Sequence, residues 1–255
     1  MAAATAEIIA FLDELLDASA FSDYGPNGLQ VPGKREIEVV ATGVSAHRDL
    51  ITEAVVQGAD LLVVHHGLFW RGQPLEITPL MDSRLRPLYR NDLALAAYHL
   101  PLDAHPQHGN NALLAQAIGA DPERTFAEHG GREIGLIAGF GEHPITRTEL
   151  TGRVAAATGG REPLVIAGGS DLVRRVGIVT GSACDDVLAA VEAGCDAFIT
   201  GEPAERAFGI ARDAGITFIA GGHHATETFG VKRLGELLAE RFGVRHVPID
   251  VANPI

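Results

Sequence analysis

VATGVSAHRDLITEAVVQGADLLVVHH, residues 40–66, decides the fold, because it aligns without a gap on VGIVTGSACDDVLAAVEAGCDAFITGE, residues 176–202. Asp49, Ala54, Val55, Gly58 and Asp60 fall on Asp185, Ala190, Val191, Gly194 and Asp196. Each copy reads as a strand, a helix, a short loop and a second strand. A further pair follows: HLPLD (99–103) matches HHATE (223–227) in the pattern His-x-x-x-acid. Self-similarity of this kind marks a chain built from repeated supersecondary units. Continuous apolar strands separated by helices also point to parallel strands covered on both faces. The expected fold is therefore α/β, internally duplicated into two similar lobes with mostly parallel or mixed sheets. The lobes are expected at residues 1–126 and 127–255, with a metal site between them.

Working outward, Ile8, Ile9, Phe11, Leu12, Leu15 and Leu16 share one face of an N-terminal amphipathic helix. SDYGPNGLQVPG (22–33) is rich in Gly, Pro, Asn and Asp and reads as a loop, with Asn27–Gly28 a turn. Strands are expected at 37–45, 93–99, 132–141, 163–169 and 216–222, and a last short one in VRHVPID near Asp250. Helices are expected at 47–58, closing on Gly58, and at 83–92, limited by Pro87. Others are expected at 110–119, 146–159, 202–215 and 226–243.

Bulk properties exclude several classes. No apolar run reaches the roughly 18 residues of a membrane span, and the N-terminus has no basic start of a signal peptide. The net charge of −13, with no Lys/Arg cluster longer than a pair, argues against a nucleic-acid surface. A small anionic substrate stays open. The two cysteines, Cys184 and Cys195, lack C-x-x-C spacing, so a reduced cytoplasmic setting is expected and cysteine metal ligands are not.

Five residues carry the chemistry: His65, His66, Asp103, His223 and Glu227. In open α/β sheets ligands bind beyond the carboxyl ends of the strands. His65–His66 end one expected strand, and Asp103 and His223 follow the ends of two others. His223 and Glu227 stand four apart and share a face if a helix starts there. Three imidazoles and two carboxylates suit Zn, Mn, Fe, Co or Ni. They exceed the three protein ligands of one catalytic zinc and fit two divalent ions bridged by one carboxylate and a water. His99 aligns with His223 and is either a sixth ligand or a hydrogen bonder behind the ligands. Glu202 aligns with His66 and is either near the site or a helix N-terminal acid. TGSA (180–183) opens a helix and could face an anion. Phe69 and Trp70 are expected to pack. His47, His105, His108, His129, His143, His224 and His246 read as surface or loop residues.

NGLQV (27–31), GADLLVVHHGLFW (58–70), HLPLDAH (99–105), DAFITGE (196–202) and GHHATE (222–227) run in order over essentially the whole chain. Together they resemble the signatures of the Nif-three-like proteins, labelled type 2 GTP cyclohydrolase I homologues, in their short bacterial form. The resemblance implies a dinuclear centre in which His65 and Asp103 bind one ion, His66 and His223 the other, and Glu227 bridges both. It also implies a toroidal homohexamer. The family's glycine-rich loop stands here as TGSA. The leading expectation is a metal-dependent hydrolase that opens the imidazole ring of a purine nucleotide such as GTP, with Glu227 or a nearby acid carrying the proton. The alternative is a non-enzymatic metal-binding or protein-interaction ring.

Overall fold

A computed structural model describes residues 2–255. Thr5–Leu15 forms α1, which buries Ile8 and Leu12 at helical spacing. Gly28–Val31 is a strand, β1, where a loop is expected. Its flanking Pro26 and Gly33 hide it in the sequence, and it lies at a sheet edge, where short, proline-flanked strands are tolerated. Then come β2 (Val39–Ser45), α2 (Arg48–Val56) and β3 (Leu61–His66). The His47 side chain caps α2 by accepting from Leu50 N, and Gly58 takes φ +68° just beyond its end. α3 (Pro79–Arg90) starts earlier than expected, at a Thr78 cap with Pro79 in the first turn. It also runs through Pro87 instead of stopping there, held by burial of Leu85 and Leu88 on either side.

β4 (Ala94–Ala97), α4 (Leu100–Ala104) and α5 (Asn110–Ala117) follow. β5 (Asp121–His129) and β6 (Arg132–Gly139) form a hairpin around Gly130–Gly131. β5 has no counterpart in the expected elements; its mostly exposed DPERT half lacks an apolar pattern. Next are α6 (Arg147–Ala157), β7 (Leu164–Ile166), β8 (Arg175–Ile178), α7 (Val187–Glu192) and β9 (Ala197–Thr200). The chain ends with α8 (Arg206–Ala214), β10 (Thr217–Ala220), α9 (His223–Thr226), α10 (Thr228–Phe242) and β11 (Arg245–Pro248).

Two compact units result. The first is the chain up to Leu102 with Gly230–Ala252. Its five-stranded sheet runs β11-β2-β3-β4-β1, parallel except for the antiparallel edge β1. Alternate residues of β3 enter opposite cores: Leu61 and Val63 join Ile8, Leu12 and Tyr98, while Leu62 and Val64 join Leu50, Ile51, Leu85 and Leu88. At roughly 1.5–3 kcal/mol per fully buried large apolar side chain, the two cores hold this sheet from both faces. The unit differs from the expected 1–126. The first unit ends at Leu102, and α10 with β11 rejoins it, because Val231, Leu234 and Leu238 find their apolar partners in Ile8 and Leu12.

The second unit is Asp103–Phe229 with Asn253–Ile255. Its six-stranded sheet runs β7-β10-β9-β8-β6-β5, with β8, β9 and β10 parallel and the others antiparallel to their neighbours. One core gathers Leu114, Leu150, Val154, Val176, Ile178, Ile199 and Ile219. The fold is mixed α/β with mixed sheets. Aspartates anchor the strand starts in each unit. Asp60 Oδ2 accepts from Glu38 N and Val39 N at 2.9 and 3.0 Å. Asp196 Oδ2 accepts from Arg174 N and Arg175 N at 2.8 and 3.1 Å.

Candidate metal centre

In the first unit the donors gather at the carboxyl ends of β3 and β4. His65 is wholly buried, and its Nδ1–H donates to the Tyr98 carbonyl at 2.9 Å. A carbonyl only accepts, so Nε2 is the nitrogen that carries the lone pair. His66 Nδ1 meets Ser45 Oγ at 2.9 Å, across the β2–β3 pairing that places the two residues opposite each other. Neighbours inside a strand face opposite sides, but at this strand end the His65 and His66 ring centroids come within 4.6 Å. His99 lies 5.0 Å from His65 and 5.6 Å from His66 by ring centroid. A ligand atom from each of His65, His66 and His99 lies within 4.8 Å of the others, so these three could hold a metal ion. Trp70 packs on His99 at 5.1 Å, as expected, whereas Phe69 is left exposed.

Residues 22–33 form the bracket behind these imidazoles. Asp23 is buried and accepts from His99 Nδ1 at 2.7 Å, Asn27 Nδ2 at 3.0 Å and Leu100 N at 2.9 Å. Burial alone would raise its pKa, but the bonds from His99, Asn27 and Tyr24 N outweigh it and hold the carboxyl below its ordinary value. Asn27 Oδ1 accepts from His99 N at 2.8 Å, and Gln30 Oε1 accepts from Leu68 N at 2.8 Å. A Cβ on Gly67 would meet the Gln30 amide, so a side chain there would displace Gln30 from its bond to Leu68 N. Asp23 and Gln30 escape the reading of the sequence because nothing in their composition separates them from ordinary turn residues.

In the second unit Asp103 is buried on α4. Its Oδ1 accepts from Asn110 Nδ2 at 2.8 Å and Thr180 Oγ1 at 3.2 Å. Buried Asn111 ties the same region together, donating to the Asp103 and Ile134 carbonyls at 3.2 and 2.8 Å and accepting from Thr180 N at 2.9 Å. His223 opens α9 and Glu227 closes it, and their Nε2 and Oε2 atoms are 3.2 Å apart. The expected four-residue face therefore forms. Glu202 accepts from His223 Nδ1, which places it against a donor imidazole rather than only at a helix start. Burial opposes charging of His223, but its bonds to Glu227 and Glu202 outweigh burial and push its pKa up to about 9.

Glu227 is the hub of this set. Its carboxylate also lies within 4.8 Å of that of Asp103, and both residues are more than nine-tenths buried. Two buried carboxylates so close need a proton or a cation to balance them. Gly181, at φ +72°, faces Glu227, and a Cβ there would strike the carboxylate. The TGSA loop thus makes room for Glu227, and Ser182 Oγ donates to Glu202 at 3.3 Å.

Among the histidines expected at the surface or in loops, His47 caps α2, His105 Nδ1 accepts from His108 N at 3.0 Å, His129 Nε2 meets Asp186 Oδ2 at 2.8 Å, and His246 Nε2 meets Thr42 Oγ1 at 2.8 Å.

Residues 3–254 match the family model described as Duf34/NIF3 (NGG1p interacting factor 3). A Pseudomonas aeruginosa protein named GTP cyclohydrolase 1 type 2 homolog is 41% identical over 254 residues, covering 100% of both chains. A Vibrio cholerae protein of the same name is 44% identical over 251 residues, covering 98% of each. A solved structure described as protein ybgI, of unknown function, superposes with a TM-score of 0.93 at 39% identity, covering 99% of this chain and 100% of its own.

Proposed function

The chain belongs to the Duf34/NIF3 family, and on that premise we propose that it is a dinuclear metal-dependent hydrolase acting on a purine nucleotide. His65 and Asp103 would hold one divalent ion and His66 and His223 the other, with Glu227 shared by both. The carrying observation is the way the imidazoles are held. His65 and His223 commit Nδ1 to a carbonyl and a carboxylate, from Tyr98 and Glu202, and His66 Nδ1 meets the Ser45 hydroxyl. Ligand histidines are oriented in this manner, with the second nitrogen kept for the metal. The donor set is all nitrogen and oxygen, which suits Zn, Mn, Fe, Co or Ni.

Divalent ions held there would supply Lewis-acid chemistry at neutral pH. The chain's own residues do the rest. Asn110 and Thr180 fix the Asp103 carboxylate in one orientation. Glu227 or a nearby acid, with Glu202 against His223 Nδ1, would carry the proton during ring opening. Trp70, beside His66 and His99, offers a face on which a flat base can lie.

The relatives' name supplies the substrate class, a guanine nucleotide. The test is a panel of purine and pyrimidine nucleoside triphosphates incubated with Zn- or Mn-loaded protein, read by loss of the purine absorbance. Turnover of GTP that Glu227→Gln abolishes is expected; no turnover of any nucleotide by fully loaded protein would leave a binding protein instead.

The same reading treats the two sheets as copies of one unit. Its support is the matching parallel trios β2-β3-β4 and β8-β9-β10. The equivalent anchors Asp60 and Asp196 add to it. It further takes the protein as a toroidal homohexamer in the reduced cytoplasm, with both cysteines as buried free thiols. Among the described residues no helix is long and apolar enough to cross a membrane. Light scattering that gives a monomer at micromolar concentration would remove the hexamer.

A further inference from the structure

A cavity of about 460 Å³ lies between α2 and α3 in the first unit, lined by residues outside the metal donor sets. α2 presents Arg48, Thr52 and Val55 to it, at spacings of four and three residues. α3 presents Arg86, Pro87 and Arg90. Arg86 gives Nε and Nη2 to Asp82 at 3.1 and 2.7 Å, which cancels one charge. Among the described residues, Arg48 and Arg90 have no carboxylate partner.

The acids of α2 are kept away from the cavity. Asp49 and Glu53 line a different groove, together with Asp250. α2 therefore sorts its charges, basic toward α3 and acidic toward the segment after β11. Val55 and Pro87 add apolar wall to the basic side.

We propose that this cavity binds a small phosphate-bearing anion of the nucleotide or diphosphate class. The guanidinium fork matches phosphate oxygens and keeps its charge at every physiological pH. The volume is that of a single small-molecule site. The apolar wall suits the body to which the phosphate is attached. A local pair of uncompensated cations also overcomes the repulsion that the net negative charge would otherwise impose on any anion.

The test is calorimetric titration of the intact metal-loaded protein with inorganic pyrophosphate, at low and at raised salt. Parent protein is expected to bind one pyrophosphate per chain, more weakly as salt rises. Arg48→Ala/Arg90→Ala should weaken binding by at least about tenfold, the loss expected for two charge-assisted contacts. Its melting temperature should be unchanged, since both side chains are exposed. His223→Ala should bind pyrophosphate as the parent does. Undiminished binding by the double variant would overturn the proposal, as would binding that disappears in His223→Ala, which would put the anion on the metal. A poly-glutamate peptide that binds the parent more tightly than pyrophosphate, and is lost in the double variant, would make the cavity a protein-docking surface and also overturn it.

Discussion

Gly181→Ala separates backbone strain from damage to the donor set. Gly181 sits at φ +72°, and an added Cβ would strike the Glu227 carboxylate. Gly194, in the same unit, sits at φ +75° with nothing within 4 Å of its would-be Cβ. Left-handed backbone costs an L-residue about 1–2 kcal/mol. At roughly 2–4 °C per kcal/mol for a chain of this size, both Gly181→Ala and Gly194→Ala should lower the melting temperature by about 2–8 °C. Only the first pushes Glu227 away from His223 and Asp103. Because groups that orient metal ligands are worth about 10–100-fold in metal affinity, Gly181→Ala should lose affinity for both ions by that factor. Gly194→Ala should bind metal as the parent does. The assay is competition for Zn against a chelator of known affinity, with thermal denaturation of the metal-free forms alongside. Equal metal affinity in the two variants would refute the reasoning, since the clash would then have no consequence at Glu227.

Glu227→Gln keeps the shape of the hub but removes its charge, so it should reduce occupancy of both ions, whereas Asp103→Asn should mainly weaken one; metal analysis of the two variants decides. Asp23→Asn replaces the acceptor of His99 Nδ1, Asn27 Nδ2 and Leu100 N, and should cost about 2–3 kcal/mol in denaturant unfolding; an unchanged midpoint would show that the bracket behind His99 is not needed. The Asp186 carboxylate, against the opposing effect of burial, raises the His129 pKa. That bond therefore stabilises fully below the unfolded value near 6.5 and its contribution is lost as pH rises through the raised folded value. Asp186→Asn should lower the melting temperature near pH 5.5 and make little difference by pH 9, and a pH-independent difference would contradict the charged pair.

Much of the donor set was legible because its residues break a pattern. His65 and His66 interrupt an apolar strand, and His223 and Glu227 stand one helical turn apart. The α/β class was equally legible, since β3 and β9 are apolar runs that only a sheet covered on both faces can bury. The bracket of Asp23, Asn27 and Gln30 was not legible, because its work is done by side-chain bonds to distant backbone, and composition does not record those. β5 was hidden for another reason: an edge strand needs no apolar alternation when its outer face meets water. The return of α10 to the first unit was also hidden. Val231, Leu234 and Leu238 declare that the helix has an apolar face but not which core receives it.

Metal stoichiometry tests the central claim most directly. Protein loaded with excess Mn or Zn, desalted and analysed for bound metal should hold about two ions per chain, as a dinuclear centre requires. His66→Ala and His223→Ala should each lose one, and His129→Ala none. Parent protein that retains less than one ion per chain would contradict the dinuclear centre.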